Sequence, residues 1–281
     1  MLFASPDVRI GAFRCPLAHP EFQTAGPIEG FSVVFPRSAV WIQHSGGRPF
    51  VADPAVAAIY NLGQPYRRYR LSAEGDRADW FSVSAPMASS LVAEVAEATG
   101  DPGRPFPVAA GPVPAPLYYR QRLLFARVSS GRLRDPSAIE HEVTEVLREI
   151  LRLAFTERGQ DAVRASAKQR HVAERARAEL AADPAGRLSV RQIADRVGVS
   201  PFHLCRLFRR HTGHTLHQYR LELRARLALE RLETGDRSLS RVAHGIGFSS
   251  HSHFTAEFRQ RLGLTPSGAR RLLRWHGPER A

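Results

Sequence analysis

Two short stretches of this chain place hydrogen-bonding side chains on one side of a helix, at the three- and four-residue spacings that make neighbours on a helical face. In the first, Phe202, Cys205, Arg206 and Arg209 oppose an apolar stripe of Leu204, Leu207 and Phe208. In the second, His251, Ser252, Thr255 and Arg259 oppose Phe254, Phe258 and Leu262. A guanidinium is a rigid fork of donors, and hydroxyls and imidazoles add adaptable donors and acceptors. Each outward face therefore has the hydrogen-bonding width of a nucleic-acid groove edge.

Other chemistries fit less well. His211, His214 and His217 recur at metal-ligand steps, but they straddle a helix stop at Gly213, so phosphate or solvent contact is expected instead. Cys205 reads as a small packing residue on its helix rather than a redox switch, and Glu142, Glu145 and Glu149 as a solvated face. The two cysteines, Cys15 and Cys205, are too few and too far apart for a disulfide framework or a four-cysteine zinc site. The sequence holds no phosphate-binding glycine loop, nucleophile elbow or HExxH string. Only His19 and His44 fall in the first 130 residues, which excludes the His-rich site of a metal-dependent oxygenase. No metal, cofactor or enzyme activity is expected.

The elements that must position the two faces are written twice. Ile193, Ala194, Gly198, Ser200, Leu204, Phe208, Gly213 and Thr215 recur as Val242, Ala243, Gly247, Ser249, Phe254, Phe258, Gly263 and Thr265, offset by 49 up to the serine and by 50 beyond it. The unit is helix, short turn, helix and glycine stop. Ser189 with Gln192 forms a capping box, and Ser200-Pro201 and Thr265-Pro266 each place a cap before an N1 proline. Gly198 and Gly247 supply the turns, so each unit is a helix-turn-helix. Between the units, Leu216 to Leu232 carries apolar residues at helical spacing with no proline. It reads as one tether helix of about 27 Å, close to the ~34 Å turn of duplex DNA.

Charge points the same way. The formal net charge is +13; residues 1–165 hold 18 arginines against 17 acidic residues, whereas residues 166–281 hold 22 basic against 10 acidic ones. A polyanion partner should dock on the C-terminal half. With 281 residues, 43% of them hydrophobic, the chain is long enough for two modest domains. No stretch approaches the roughly 18 apolar residues of a membrane span, and Asp7 and Arg9 stand where a secretory signal would be apolar, so a soluble, cytoplasmic protein is expected.

The first half reads differently. Strands are expected within residues 8–84, at Gly30–Phe35, Ala39–His44, Val56–Asn61, Tyr66–Leu71 and Trp80–Ser84, giving a small sheet sandwich or barrel. Residues 100–116 are rich in breakers and read as a loop, with helices following over 117–160. In that helical stretch Ile139, Val143, Val146, Ile150 and Leu153 make a seam of heptad type. It suits either packing on the sheet domain or pairing in a homodimer. Trp41, Tyr60, Tyr66, Tyr69 and Trp80, adjoined by Arg67, Arg68 and Arg70, are either core or the lining of a pocket for a small organic or anionic effector. The expected fold is thus α+β in two domains: residues 1–164, and an all-α domain over 165–281 with helix-turn-helix units at 189–212 and 238–262.

The text LSVRQIADRVGVSPFHLCRLFRRHTG, followed by VAHGIGFSSHSHFTAEFRQRLGLTP, closely resembles the paired helix-turn-helix domain of the AraC/XylS family of bacterial transcription regulators. Gly247, Phe248, Ser249, Ser250, Phe254, Phe258, Gly263, Thr265 and Pro266 stand in that family's most diagnostic segment. The layout upstream is similar to the family's effector-binding, dimerising domain of cupin-like shape. The resemblance implies base reading by Phe202, Cys205 and Arg206 in the first unit and by His251, Ser252, Thr255 and Ala256 in the second. Ala256 and Ala269 depart from the polar and aromatic residues common there.

On this reading Arg206 pairs with a guanine edge and Phe202 touches a thymine methyl, while Arg209, Arg210, Arg259 and Arg261 clamp phosphates. The function implied is an effector-responsive activator reading two successive major grooves, with double-stranded DNA, RNA polymerase, a small effector and a second copy as partners, and no membrane. The alternatives are a nucleoid-type architectural binder without an effector, and a metabolic enzyme with an appended basic domain.

Overall fold

The computed structural model describes residues 1–95, 101, 103–164, 166–234 and 238–273. Met1–Arg158 forms one compact unit and Gly159–Arg274 a second. The boundary expected at residue 165 lies outside the described residues, as do residues 100 and 102 of the expected loop and 274–281 of the second domain.

The first unit runs β1 (Phe3–Ala4), β2 (Val8–Cys15), β3 (Thr24–Ala25), β4 (Phe31–Pro36), β5 (Val40–His44), β6 (Phe50–Ala52), β7 (Val56–Tyr60), β8 (Tyr66–Arg70), β9 (Asp76–Val83), α1 (Ala85–Val95), β10 (Ala110–Pro112), α2 (Ala115–Ser129) and α3 (Pro136–Arg164). Its strands make two antiparallel sheets, ordered β1-β2-β9-β4-β7-β10 and β3-β8-β5-β6.

Alternation along β9 shows how the layers stack. Asp76 accepts a hydrogen bond from Arg68 of β8 at 2.9 Å, so its face looks at the smaller sheet. Asp79, on the opposite face, accepts from Gln121 Nε2 at 3.1 Å and pairs with Arg122, both on α2. Gly111 of β10 faces the same way, and a Cβ there would come within 2.9 Å of Ala154 on α3. Within the larger sheet, β4 and β7 are buried on both sides, whereas β2 is exposed at Ala12–Arg14. That is why β4 and β7 read as nearly unbroken apolar runs, while β5 and β8, covered on one side, alternate.

Three expectations change. The breaker-rich loop contains β10, because Ala110–Pro112 pair with Val56–Ala58 through backbone groups alone, which needs no side-chain period. Helix α1 was not legible either. The aromatic set does not converge: Tyr60 and Tyr66 stack inward, 4.9 Å apart, and Trp80 shares their interior over Gly11. Trp41 and Tyr69 are cross-strand partners on the outer face of β5 and β8, where the Tyr69 hydroxyl donates to Gln43 at 3.1 Å. A one-residue step along a strand reverses the face, which is what splits them.

The α3 seam is occupied. Ile139, Val143, Val146 and Ile150 are at most 1% exposed and Leu153 is half-buried within this one chain, with Ile150 against β10. Its apolar area is already out of water, so it is not a free face for a second copy.

The second unit is all-helical: α4 (Ala167–Ala182), α5 (Val190–Val197), α6 (Pro201–Thr212), α7 (Leu216–Thr234), α8 (Leu239–Gly245), α9 (His251–Leu262) and α10 (Pro266–Leu273). Ser189 and Gln192 form the expected capping box on α5, and Ser200 caps α6 by accepting from the His203 amide. Thr215 caps α7 and Thr265 caps α10 by accepting from Gln218 and Gly268. The residue matching Ser200 is Ser250, which caps α9, rather than Ser249, so the inserted residue lies between Gly247 and that cap. Among the described residues no helix is long and apolar enough to cross a membrane.

Candidate nucleic-acid interface

Helix α6 turns Leu204, Leu207 and Phe208 inward and leaves Phe202 79% exposed, an unusual position for a phenylalanine. Cys205, Arg206, Arg209 and Arg210 are exposed beside it, with Arg206 Nη2 3.4 Å from His203 Nδ1. On α9, Phe254, Phe258 and Leu262 are buried and His251, Ser252, Ala256 and Arg259 exposed. Among the described residues none of Arg206, Arg209, Arg210 and Arg259 meets a carboxylate. The two presenting faces that the repeat implies are therefore on the surface.

Three assignments do not survive. Arg261 is no phosphate clamp: its side chain is 11% exposed and pairs with Glu257 of its own helix and with Glu222 of α7 at 3.3 Å. Thr255 Oγ1 is buried with no hydrogen-bond partner among the described residues, so it is withheld from a base edge. His211 turns from phosphate and solvent to Glu174 of α4, with Nε2 3.0 Å from Oε1.

These departures reveal a larger repeat than the sequence shows. Glu174 and Arg177 pair on α4 at 2.7 Å, and Glu222 and Arg226 pair on α7 at 2.7 Å. Each glutamate also takes a basic residue from the second helix of its unit, His211 or Arg261, which are 50 positions apart. The true unit has three helices, α4–α6 and α7–α9, and the tether helix is the first helix of the second copy. The Arg177 Nε–Tyr219 Oη hydrogen bond at 3.2 Å and the Phe208–Tyr219 ring contact at 5.5 Å lock the copies together. The signal for α4 was present in the Glu-Arg spacing, but a partnered arginine and a solvated one look alike in sequence.

Residues 193–272 match the family described as Helix-turn-helix domain. The HTH-type transcriptional activator RhaS of Pectobacterium carotovorum subsp. carotovorum (strain PC1) is 36% identical over 78 residues, 28% of each chain. An AraC-like transcription regulator of Streptomyces lividans is 32% identical over 89 residues, 32% of this chain and 29% of that one. The solved structure of a transcriptional regulator with an AraC-type DNA-binding domain from Chromobacterium violaceum is 31% identical, covering 40% of this chain and all of that one, at a TM-score of 0.37. The chain spans less than a third of the length of these two curated relatives. Residues 193–272 are thus a helix-turn-helix domain of the AraC type, and this is the part of the chain that the similar transcription regulators share.

Proposed function

We propose that this protein binds double-stranded DNA at specific sequences and regulates transcription as an effector-responsive activator, with α6 and α9 entering successive major grooves. The observation that carries the reading is the contrast among arginines. Among the described residues Arg206, Arg209 and Arg210, on the helix of the exposed Phe202, and Arg259 face solvent without a carboxylate, while Arg177, Arg226 and Arg261 are tied into the fold. Guanidiniums left unpaired on two helix faces suit phosphates and base edges. The tether helix α7, at 19 residues, is about 28 Å long, near the ~34 Å groove repeat.

The sheet unit is the proposed sensor. His44 lies 4.6 Å from Tyr60 and its buried Nε2 has no hydrogen-bond partner among the described residues. Burial, with the charge of Arg104 adding to it, lowers this imidazole to about 4, so it stays neutral near pH 7 and can exchange a hydrogen bond with a small polar ligand. A ligand acts on DNA affinity only if it binds two arrangements of the protein unequally.

The test is a salt series on duplexes selected by the full chain from a random pool, with single-base variants. Arg206→Ala should relax preference at one or two positions by about 1–3 kcal/mol, whereas Arg259→Ala should weaken all sequences alike and flatten the salt slope. Equal losses on every sequence for both variants would contradict the assignment.

A further inference from the structure

We infer that Arg224 is the positioning residue that sets the angle between the two helix-turn-helix units, and with it the half-site spacing at which duplex DNA is read; the inference rests on the function proposed above. Arg224 lies in the middle of α7 and is 8% exposed. Its Nε donates to Pro184 O at 2.9 Å, and Nη2 to Ala185 O at 3.3 Å and Gly186 O at 3.0 Å, all in the loop between α4 and α5. Its Nη1 donates to Gly247 O at 2.9 Å, in the turn between α8 and α9. One planar group with five N–H donors therefore spends four of them on the backbone of both copies.

The surroundings are built for it. Gly247, at φ +88°, makes the room, since a Cβ there would fall 2.6 Å from Arg224 Nη2 and 2.5 Å from Ala185 O. The Phe248 ring lies 5.7 Å from the guanidinium carbon. One turn earlier on α7, Arg220 donates to Leu188 O, just before the Ser189 cap of α5. Burial pulls both guanidiniums below the ordinary arginine range, and the charges of Arg220 and Arg187 add to the effect at Arg224. The counterpart in the first copy, Arg175, is exposed and donates to Arg196 O at 2.7 Å inside its own copy.

Holding a cation among carbonyls costs desolvation that an apolar side chain would avoid, so the return is directional. Two linked reading modules gain affinity only when the link presents both sites together. A lysine keeps the charge but lacks the fork that spans both backbones.

The experiment uses the full chain, a two-part duplex selected by the wild type from a random pool, duplexes with either half scrambled, and duplexes with the halves moved by one or two base pairs. Arg224→Lys and Arg224→Met should bind each single half within about twofold of wild type, lose about tenfold or more on the two-part duplex, and show a flattened spacing preference. Binding of the single halves itself reports that the units are folded. An unchanged spacing preference in both variants would overturn the inference, and so would loss of the single halves in step with the two-part duplex, which would make Arg224 a general fold determinant. If the wild type selects no two-part sequence, the proposed function falls, and the inference with it.

Discussion

The copies α4–α6 and α7–α9 share a plan and differ in how tightly each is held. In both, a glutamate on the first helix gathers an arginine from its own helix and a basic residue from the helix that presents to solvent. The first copy turns at Gly198 in open space and exposes an aromatic, a thiol and three arginines. The second turns at Gly247 against Ala185 and Arg224, draws Arg261 inward and hides the Thr255 hydroxyl. Duplicated sequence thus yields one copy rich in donors for a ligand and one wedged against its neighbour.

Substitutions at paired positions can break this contrast. The largest difference is expected at the turns. Gly247→Ala combines a left-handed backbone with overlap on a carbonyl and a pinned guanidinium and should cost about 4 kcal/mol, against about 1 kcal/mol for Gly198→Ala. Urea unfolding of the two variants measures both; equal losses would mean that Arg224 does not pin Gly247.

The glutamates should behave alike instead. Glu174→Ala and Glu222→Ala each strip a carboxylate from largely buried basic partners, so each should cost about 3 kcal/mol by thermal or urea denaturation. A cost confined to one of them would dissolve the three-helix repeat.

The smallest effect concerns matched positions 205 and 255. Thr255→Val replaces a buried, unsatisfied hydroxyl and should stabilise by about 1 kcal/mol with affinity for the selected duplex unchanged. Cys205→Val, on the exposed face, should shift stability by no more than about 0.5 kcal/mol. Loss of DNA binding by Thr255→Val would return that hydroxyl to the groove.

Much of the C-terminal architecture was legible because its signals are local. Ser189 with Gln192, Ser200 before Pro201 and the left-handed Gly198, Gly213 and Gly263 announce helix ends within a few residues of chain. Of the proposed interface, Phe202, Cys205, Arg206 and Arg209, with His251, Ser252 and Arg259, follow from helical periodicity, whereas Ala256 came from the family resemblance and Arg210 from its charge. Arg261 and Thr255 did not, since each depends on a neighbour from another turn or another helix. In the sheet unit the strand runs were readable, but Trp41 and Tyr69 could not be separated from Tyr60 and Tyr66 without knowing which face each strand turns inward.

The amino-acid order by itself determined the capped helix ends of the basic half, the duplicated turn, the charge asymmetry and most of the residues facing away from each apolar stripe, because caps, periodicity and charge are properties of short segments. Only the folded chain decided which arginines remain available to a ligand. A guanidinium's role depends on whether a carboxylate or carbonyl from a distant segment reaches it first, as Glu222 reaches Arg261 and the Pro184 and Gly247 carbonyls reach Arg224.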